Sequence, residues 1–299
     1  MNPNADTLHS KLEGNSILRV AGAFDAMSAK LVELNEFDAV WAGSFAISAT
    51  HGVPDASILT MTEFFNVASN MVETCKIPVI ADCDTGYGGP NNVIHMVKKY
   101  ENAGVAAICI EDKTFPKQNS LLKNGNNELI SEQEFVAKII AAKDAKQDDD
   151  FMIIARVEAL ISGFGMDEAL KRATAYEKAG ADAILIHSKQ ETADQIFEFA
   201  DSWKGKSPIV VIPTTYDSVK FSEIEKHPIK MVILANQTLR VAHASMSKYL
   251  NQLNNVDCIR DINSKLSSME DIFRLQDTYK IKEKDQEIQE ILKKLGYSK

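Results

Sequence analysis

Cysteines are few in this 299-residue sequence, and none of the four belongs to a Cys-x-x-Cys pair. Such scattered thiols exclude the dense disulfide framework of a small secreted protein and the closely spaced ligands of a structural zinc site. We therefore expect a reduced, cytoplasmic setting. No apolar run approaches the ~20 residues of a membrane-spanning helix, and residues 1–16 lack the apolar segment of a secretory signal. The sequence thus predicts neither a membrane protein nor a secreted one.

Basic clusters are missing as well. The chain carries 33 Lys and Arg residues against 42 Asp and Glu residues, for a net charge of −9. No stretch is dense enough in cations to follow a nucleic-acid backbone, so nucleic-acid binding is not expected. With 45% hydrophobic and 25% charged residues, the composition is that of an ordinary globular enzyme. The length suits one large α/β barrel or two smaller domains.

Short apolar segments alternate with amphipathic segments along most of the chain. Near Gly104 and Gly180 a helical pattern closes on glycine and a strand pattern starts at once. The repeated β/α units predict a (β/α)8 barrel of the TIM type, with a doubly wound open sheet as the alternative. The predicted strands are 17–22, 37–42, 78–82, 105–110, 151–156, 182–187, 208–213 and 230–235. The predicted helices between them include 91–102, 132–146, 166–179 and 191–203.

The pattern changes near residue 252. We expect residues 1–252 to form the barrel and residues 253–299 to form a C-terminal helical extension. Within the extension, segments 264–275 and 281–295 are rich in charge and carry apolar residues at helical spacing. Such helices would pack on the barrel or on a neighbouring subunit, and a separate functional module is the alternative.

Acidic residues follow two neighbouring predicted strands. Asp82 and Asp84 come at the end of the third strand, and Glu111 ends the fourth. The carboxyl ends of barrel strands meet at one rim, and residues two apart on a strand point the same way. Carboxylate oxygens are ligands that Mg²⁺ prefers. The sequence therefore predicts a magnesium site at this rim, with helix-capping or solvated acids as the alternative.

The fifth and sixth predicted strands end in Arg156 and His187. A guanidinium that follows a nearly apolar strand must be paired, and its planar fork suits a carboxylate or a phosphate. We expect both side chains to contact an anionic ligand. The alternatives are an internal ion pair of Arg156 with Glu158 or Glu111, and a structural role for His187.

Two long loops complete the predicted rim. The segment from Phe115 to Ile130 has a polar second half rich in Asn and Gly at 123–127. Such a loop can act as a lid that excludes water, and closure would deliver Lys117 and Asn119 to the substrate. A surface loop with an incidental lysine is the alternative. Asp55 lies in the other loop, where long connections are commonly functional, although an isolated Asp is more often a turn residue.

Five short motifs recur together in one known group of enzymes. They are Ala21–Ala26, Ala81–Gly88, Glu111–Ser120, Ala155–Ala159 and Ile186–Lys189. With them, the chain from about residue 20 to residue 250 resembles the phosphoenolpyruvate mutase/isocitrate lyase superfamily. The Asp-x-Asp-x-Gly-Tyr-Gly element is typical of the whole superfamily. The Glu-Asp-Lys-x-Phe-Pro-Lys-x-Asn-Ser element is more specific, and resembles the mutases within it.

The resemblance implies a Mg²⁺-dependent barrel that interconverts phosphoenolpyruvate and phosphonopyruvate, the carbon–phosphorus bond-forming step of phosphonate biosynthesis. It also implies a homodimer or homotetramer in which the eighth helix is exchanged between subunits. The metal would be held by Asp82, Asp84 and Glu111. The residues implied to act on the phosphoryl group are Asp55, Lys117, Asn119, Arg156 and His187. The residues implied to bind the rest of the substrate, or to brace the closed loop, are Trp41, Gly43, Ser44, Phe45 and Ser120.

The resemblance also bears on rival activities. Phosphonopyruvate hydrolases, which admit water, depart from the mutase motif at the position of Asn119. The carbon–carbon lyases carry a catalytic Cys in the matching loop, and no Cys lies between Cys109 and Cys258 here. An oxaloacetate decarboxylase-like activity stays possible, because it needs only the metal and the pyruvyl pocket. Gly43 stands where the family has Ser, which would leave a backbone contact intact. The role of Asp55, as phosphoryl acceptor or as electrostatic guide, is open at this point.

Overall fold

Eight parallel strands form a closed barrel in chain order. The computed structural model describes residues 2–125 and 127–297. The strands β1 to β8 are Leu18–Ala23, Ala39–Ala42, Val79–Asp82, Ala107–Glu111, Met152–Val157, Ala183–Ile186, Ile209–Val211 and Ile229–Leu234. Parallel pairing of β1 with β8 closes the sheet. The predicted TIM-type barrel is therefore confirmed, and the open-sheet alternative is wrong.

Helices alternate with the strands along the chain and continue after the last strand. Helices α1 to α6 are Pro3–Glu13, Ala26–Leu34, Ser44–Thr50, Met61–Thr74, Pro90–Asn102 and Glu132–Ala145. Helices α7 to α12 are Gly165–Lys178, Asp194–Ser202, Phe221–Ile224, Gln237–Asn255, Met269–Leu275 and Thr278–Lys294, with a 3₁₀ helix at Ile259–Lys265. Their starts follow local chemistry: α4 begins with a reciprocal capping box between Thr60 and Glu63, and α5 begins at Pro90, whose missing N–H costs nothing there.

The strands divide their side chains between the barrel interior and the surrounding helices, as alternation along each strand requires. One buried cluster contains interior positions of successive strands, namely Val20, Trp41, Ile80, Cys109, Ile154, Leu185, Val210 and Ile233. The other buried cluster joins the outward-facing positions to the helices. Cys109 thus acts as a small apolar side chain.

Helix α1 is absent from the predictions, because residues 1–16 read as polar. The helix nevertheless buries Ala5, Leu8 and Leu12, which follow helical spacing. Leu8 and Leu12 join the same cluster as the barrel interior. Three apolar residues do not by themselves indicate a helix, because the sequence does not show the barrel surface against which they pack.

Two backbone positions near the rim depend on local geometry. A Cβ atom at Gly22 would lie 2.0 Å from the carbonyl oxygen of Ala235, so only glycine allows β1 to approach the end of β8. After β3 the chain turns through Asp84, whose φ of 50° is left-handed. The turn is held by a hydrogen bond from the Glu111 backbone N–H to the Asp84 carbonyl oxygen at 2.8 Å.

The chain divides into two compact units, residues 1–241 and 242–299. In the second unit the helices α11 and α12 overlap the predicted segments 264–275 and 281–295, so the C-terminal helices are confirmed. The boundary predicted after residue 252 and the exchange of the eighth helix stay predictions. Over the part of the chain that the structure describes, every helix is too short or too polar to cross a membrane.

Candidate active site

A cavity of about 590 Å³ opens where the strands of the barrel end. It contains all the residues that the sequence singled out except Asp84. The predicted residues that line it are Trp41, Gly43, Ser44, Phe45, Asp55, Asp82, Glu111, Lys117, Asn119, Ser120, Arg156 and His187. Asp84 is 2% exposed and contacts this set through Lys117. The structure thus brings the predicted residues together, while their individual roles stay predictions.

The ends of β3 and β4 supply buried carboxylates. Asp82 is the last residue of β3, and its Oδ2 accepts hydrogen bonds from Ser44 Oγ at 2.9 Å and from the Ser44 N–H at 3.3 Å. Glu111 is the last residue of β4, and its Oε2 lies 3.3 Å from Arg156 Nε. Its other oxygen, Oε1, is buried and has no hydrogen-bond partner among the described residues. An orphaned carboxylate oxygen is costly, and a cation would satisfy it.

Lys117 places one positive charge among the carboxylates of Asp55, Asp82 and Asp84, which we call the acidic group. Its Nζ lies 2.6 Å from Asp84 Oδ1, 3.0 Å from Asp55 Oδ1 and 3.0 Å from Ser44 Oγ. Burial opposes the charge of the ammonium group, but Asp84 and Asp55 outweigh it and raise the pKa of Lys117 well above its ordinary value. Burial also opposes the charge of Asp55, yet Lys117 holds the pKa of that carboxyl below its usual value.

The acidic group carries more negative charge than Lys117 balances. Burial, with repulsion from Asp82 and Asp55, raises the pKa of Asp84 to about 7. A hard divalent cation would relieve this surplus, and its preferred ligands are carboxylate oxygens and retained waters. The donor set therefore fits Mg²⁺. Within residues 2–125 and 127–297, however, no three acidic, His or Cys side chains already form a metal-binding cluster, and the magnesium site stays a prediction.

A second network joins the ends of β5 and β6. Arg156 Nε donates to Glu158 Oε1 at 2.6 Å, and His187 Nδ1 lies 2.9 Å from the same oxygen. Arg156 forms the internal ion pairs considered for it, with Glu158 and with Glu111, and its contact with an anionic ligand stays a prediction. Burial would raise the pKa of Glu158, but Arg156 and His187 hold it well below its ordinary value. Arg156 and His187 therefore line the cavity with a buried counter-charge behind them.

The loop between β4 and α6 reaches into the cavity. Asn119 Nδ2 donates to Asp55 Oδ2 at 2.9 Å, and the Lys117 N–H donates to Ser57 Oγ at 3.1 Å. The base of the loop is joined by backbone hydrogen bonds of 3.0 Å from Thr114 to Glu128 and from Ile130 to Asp112. In this structure the predicted lid is held against the loop between α3 and α4, which contains Asp55 and Ser57. Asn126, which belongs to the predicted lid, lies outside the described residues.

The wall of the cavity near Trp41 is shaped by a glycine. A Cβ atom at Gly43 would lie 2.8 Å from Trp41 Nε1, closer than real side chains approach. Trp41 is 2% exposed, so its ring has little room to move. Gly43 therefore allows the indole ring to occupy the space that a Ser side chain would need.

Comparison with known proteins identifies the family of this site. A family model for phosphoenolpyruvate phosphomutase matches residues 7–254. The chain belongs to the phosphoenolpyruvate phosphomutase family. A crystal structure of phosphoenolpyruvate phosphomutase from Streptomyces platensis subsp. rosaceus has a TM-score of 0.92 and 43% identity, over 95% of this chain and 99% of that one.

A phosphonopyruvate hydrolase is about as similar to this member of the phosphoenolpyruvate phosphomutase family. The hydrolase from Variovorax sp. is 42% identical over 90% of this chain and 93% of its own length. A crystal structure of phosphonopyruvate hydrolase in complex with oxalate and Mg²⁺ has a TM-score of 0.88 and 39% identity, over 93% of this chain and 96% of that one. The chain is thus an enzyme of the phosphoenolpyruvate mutase/isocitrate lyase superfamily, and overall similarity does not separate the mutase activity from the hydrolase activity.

Sequence reasoning missed several residues of this phosphomutase-family site. Glu158 is the most consequential: the sequence indicated it only as a possible ion-pair partner of Arg156, although its position two residues later at a strand end also suggests a place in the site. Thr214 and Asn236, two polar residues after β7 and β8, also line the cavity. Arg240 lines the mouth of the cavity and is exposed. Gln118, Leu121 and Leu122 of the predicted lid also line the cavity, as do Ala46, Ile212 and Ala235, which carry no sequence signal.

Proposed function

We propose that this protein is a phosphoenolpyruvate mutase, which moves a phosphoryl group between the enol oxygen of phosphoenolpyruvate and the methyl carbon of pyruvate. One observation carries the proposal. The loop residues Lys117 and Asn119 reach Asp55 within 3.0 Å in the cavity that Arg156 and His187 also line. A loop held over a cationic pocket is what a migrating phosphoryl group needs, because the group must be stabilised and kept from water.

The chemistry follows from the charges of the pocket. In the forward direction the P–O bond breaks, the electron pair stays on the enolate, and a new P–C bond forms, without net oxidation or reduction. The phosphoryl oxygens would lie beside His187 and against Lys117 and Arg156, whose positive charge stabilises a loose transition state. Asp55 would either accept the phosphoryl group transiently or guide it electrostatically between the two atoms.

The remaining residues would hold the pyruvyl part. Asp82, Asp84 and Glu111 would bind Mg²⁺, which when bound polarises the carboxylate and enolate oxygens of the substrate. The residues proposed to form the wall and the backbone contacts of this pocket are Trp41, Gly43, Ser44 and Phe45. Ser120 would brace the loop, because its Oγ donates to Glu158 Oε2 at 2.6 Å.

Hydrolysis of phosphonopyruvate is the second candidate function, supported by the hydrolase relative at 42% identity. It requires water at the phosphorus atom. Asn119 argues for the mutase, because it fills the space beside Asp55 and stands where hydrolases depart from the mutase motif. A lyase lacks support, since the loop carries no Cys.

Phosphorus NMR tests the proposal. Purified protein is incubated with phosphonopyruvate and Mg²⁺, with EDTA in a parallel sample. Conversion of the phosphonate signal to that of phosphoenolpyruvate, lost in EDTA, is the expected result. Inorganic phosphate as the only product would replace the mutase assignment by the hydrolase. An unchanged spectrum would reject both.

A homodimer or homotetramer belongs to the same proposal. Apolar side chains are exposed in the second unit, including Met246, Leu250, Ile281, Ile291 and Leu295, and subunit contacts commonly cover such side chains. Light scattering that gives the mass of one chain would contradict it.

A cytoplasmic setting is supported by the four free cysteines, three of them buried.

A further inference from the structure

Glu158 is fully buried behind the cavity, with 0% exposure, and none of its atoms lines it. The residue follows β5 directly. A carboxylate is rarely buried so completely unless it is paired. Its partners therefore indicate what it does.

Among the described residues, the side chains that hydrogen-bond to Glu158 all belong to the proposed site. Its Oε1 accepts from Arg156 Nε at 2.6 Å and contacts His187 Nδ1 at 2.9 Å. Its Oε2 accepts from Ser120 Oγ at 2.6 Å. One carboxylate thus connects the fifth strand, the sixth strand and the loop. Its backbone N–H donates to Asp112 Oδ1 at 2.9 Å, which anchors the residue itself.

The contact with His187 decides which ring nitrogen carries the proton. Arg156 Nη2 also lies 2.9 Å from His187 Nδ1, but a guanidinium only donates and an ionised carboxylate only accepts. Nδ1 can satisfy the buried charge of Glu158 only if it carries hydrogen. Arg156 Nη2 has another acceptor in Ser120 Oγ at 3.3 Å. The hydrogen bonds of Glu158, His187, Arg156 and Ser120 are therefore all satisfied when the Nδ1–H group of His187 points at Glu158.

We propose that Glu158 is a positioning residue that fixes His187 as the Nδ1–H tautomer and aligns Arg156 and Ser120. Nε2 is then the ring nitrogen available to the cavity that His187 lines. It can take up a proton and donate it to an oxygen of the phosphoryl group. The functional part of this inference rests on the proposed mutase reaction, whereas the tautomer is a property of the protein without substrate.

Nitrogen-15 NMR of the imidazole rings tests the tautomer directly. Protein labelled at histidine is studied without substrate, and the His187→Gln variant assigns the signal among the six histidines. We expect His187 to carry its proton on Nδ1 in the wild-type protein. In Glu158→Gln we expect a mixture with the Nε2–H form, together with a fall in kcat of about 10- to 100-fold, typical of losing a group that orients a histidine.

Glu101→Gln is the matched control. Glu101 is also a buried Glu, and its Oε1 accepts backbone N–H groups of Gln147 and Asp148 at 2.8 and 2.7 Å, outside the cavity. This variant should lose stability but keep the His187 tautomer and kcat. A wild-type His187 protonated on Nε2 would overturn the inference, even if Glu158→Gln fails to fold. An unchanged tautomer in folded Glu158→Gln would overturn it too. Because the spectra need no substrate, a failed phosphorus NMR assay would reject only the proposed reaction.

Discussion

Lys117 is predicted to weaken the binding of Mg²⁺ to the protein without substrate. Its ammonium nitrogen lies 2.6 Å from Asp84 and 3.0 Å from Asp55, and its side chain is 5% exposed. The buried cation therefore neutralises carboxylates of the proposed metal site. We expect the Lys117→Met variant, which keeps an unbranched apolar side chain without the charge, to bind Mg²⁺ more tightly than the wild-type protein although its turnover is lost.

The magnitude follows from the charges. Two unit charges 4 Å apart interact by about 4 kcal/mol at an effective dielectric constant of 20, and the energy doubles when one ion is divalent. Lys117 belongs to a loop and can turn away from an incoming ion, which avoids most of this repulsion but breaks the ion pairs with Asp55 and Asp84. We therefore expect the free energy of Mg²⁺ binding to be more favourable in Lys117→Met than in the wild-type protein by at least about 1.4 kcal/mol. This corresponds to a tenfold lower Kd.

Isothermal calorimetry with MgCl₂ alone measures this difference. The titration is made at pH 8, above the pKa of about 7 of Asp84 in the wild-type protein. Because Lys117 lowers that pKa, Lys117→Met has more protons to displace, which reduces the gain that the titration measures. Lys123→Met is the matched control, because Lys123 is an exposed lysine of the same loop and loses the same charge. Equal or weaker Mg²⁺ binding by Lys117→Met would refute the reasoning. An equal gain in Lys123→Met would show that only the net charge matters.

Three further predictions concern the loop, the pocket and the first helix. Asn119→Ala should lose most mutase turnover by phosphorus NMR, because Asp55 loses its amide partner, while its Kd for Mg²⁺ stays within about threefold; wild-type turnover would contradict this. Gly43→Ser should lower the free energy of unfolding by about 1–3 kcal/mol in urea and shift tryptophan fluorescence, because its Cβ would meet the Trp41 ring at 2.8 Å. An unchanged spectrum and midpoint would mean that the ring has room. Leu8→Ala should lower the free energy of unfolding by about 2–5 kcal/mol, because Leu8 is fully buried. A loss below about 0.5 kcal/mol would mean that α1 is not part of the core.

The barrel could be predicted from sequence because its signal is local. Each strand is a short apolar run next to an amphipathic segment, a glycine precedes the fourth and the sixth, and the fifth, predicted at 151–156, is observed at Met152–Val157. Once parallel strands alternate with helices, the carboxyl ends must meet at one rim. That rule alone predicts that Asp82, Glu111 and Arg156 lie close together, without knowledge of their contacts.

The partners of these residues depended on the folded chain. Asn119 meets Asp55 across 64 positions of sequence, and Ser120 meets Glu158 across 38. Periodicity indicates which face of a strand or helix is buried, but contains no information on which distant charge will neutralise another. That Lys117 pairs with the acidic group, and that Glu158 supports the cationic side of the pocket, is decided when barrel closure and the loops remove these charges from water, since each must then find its nearest opposite.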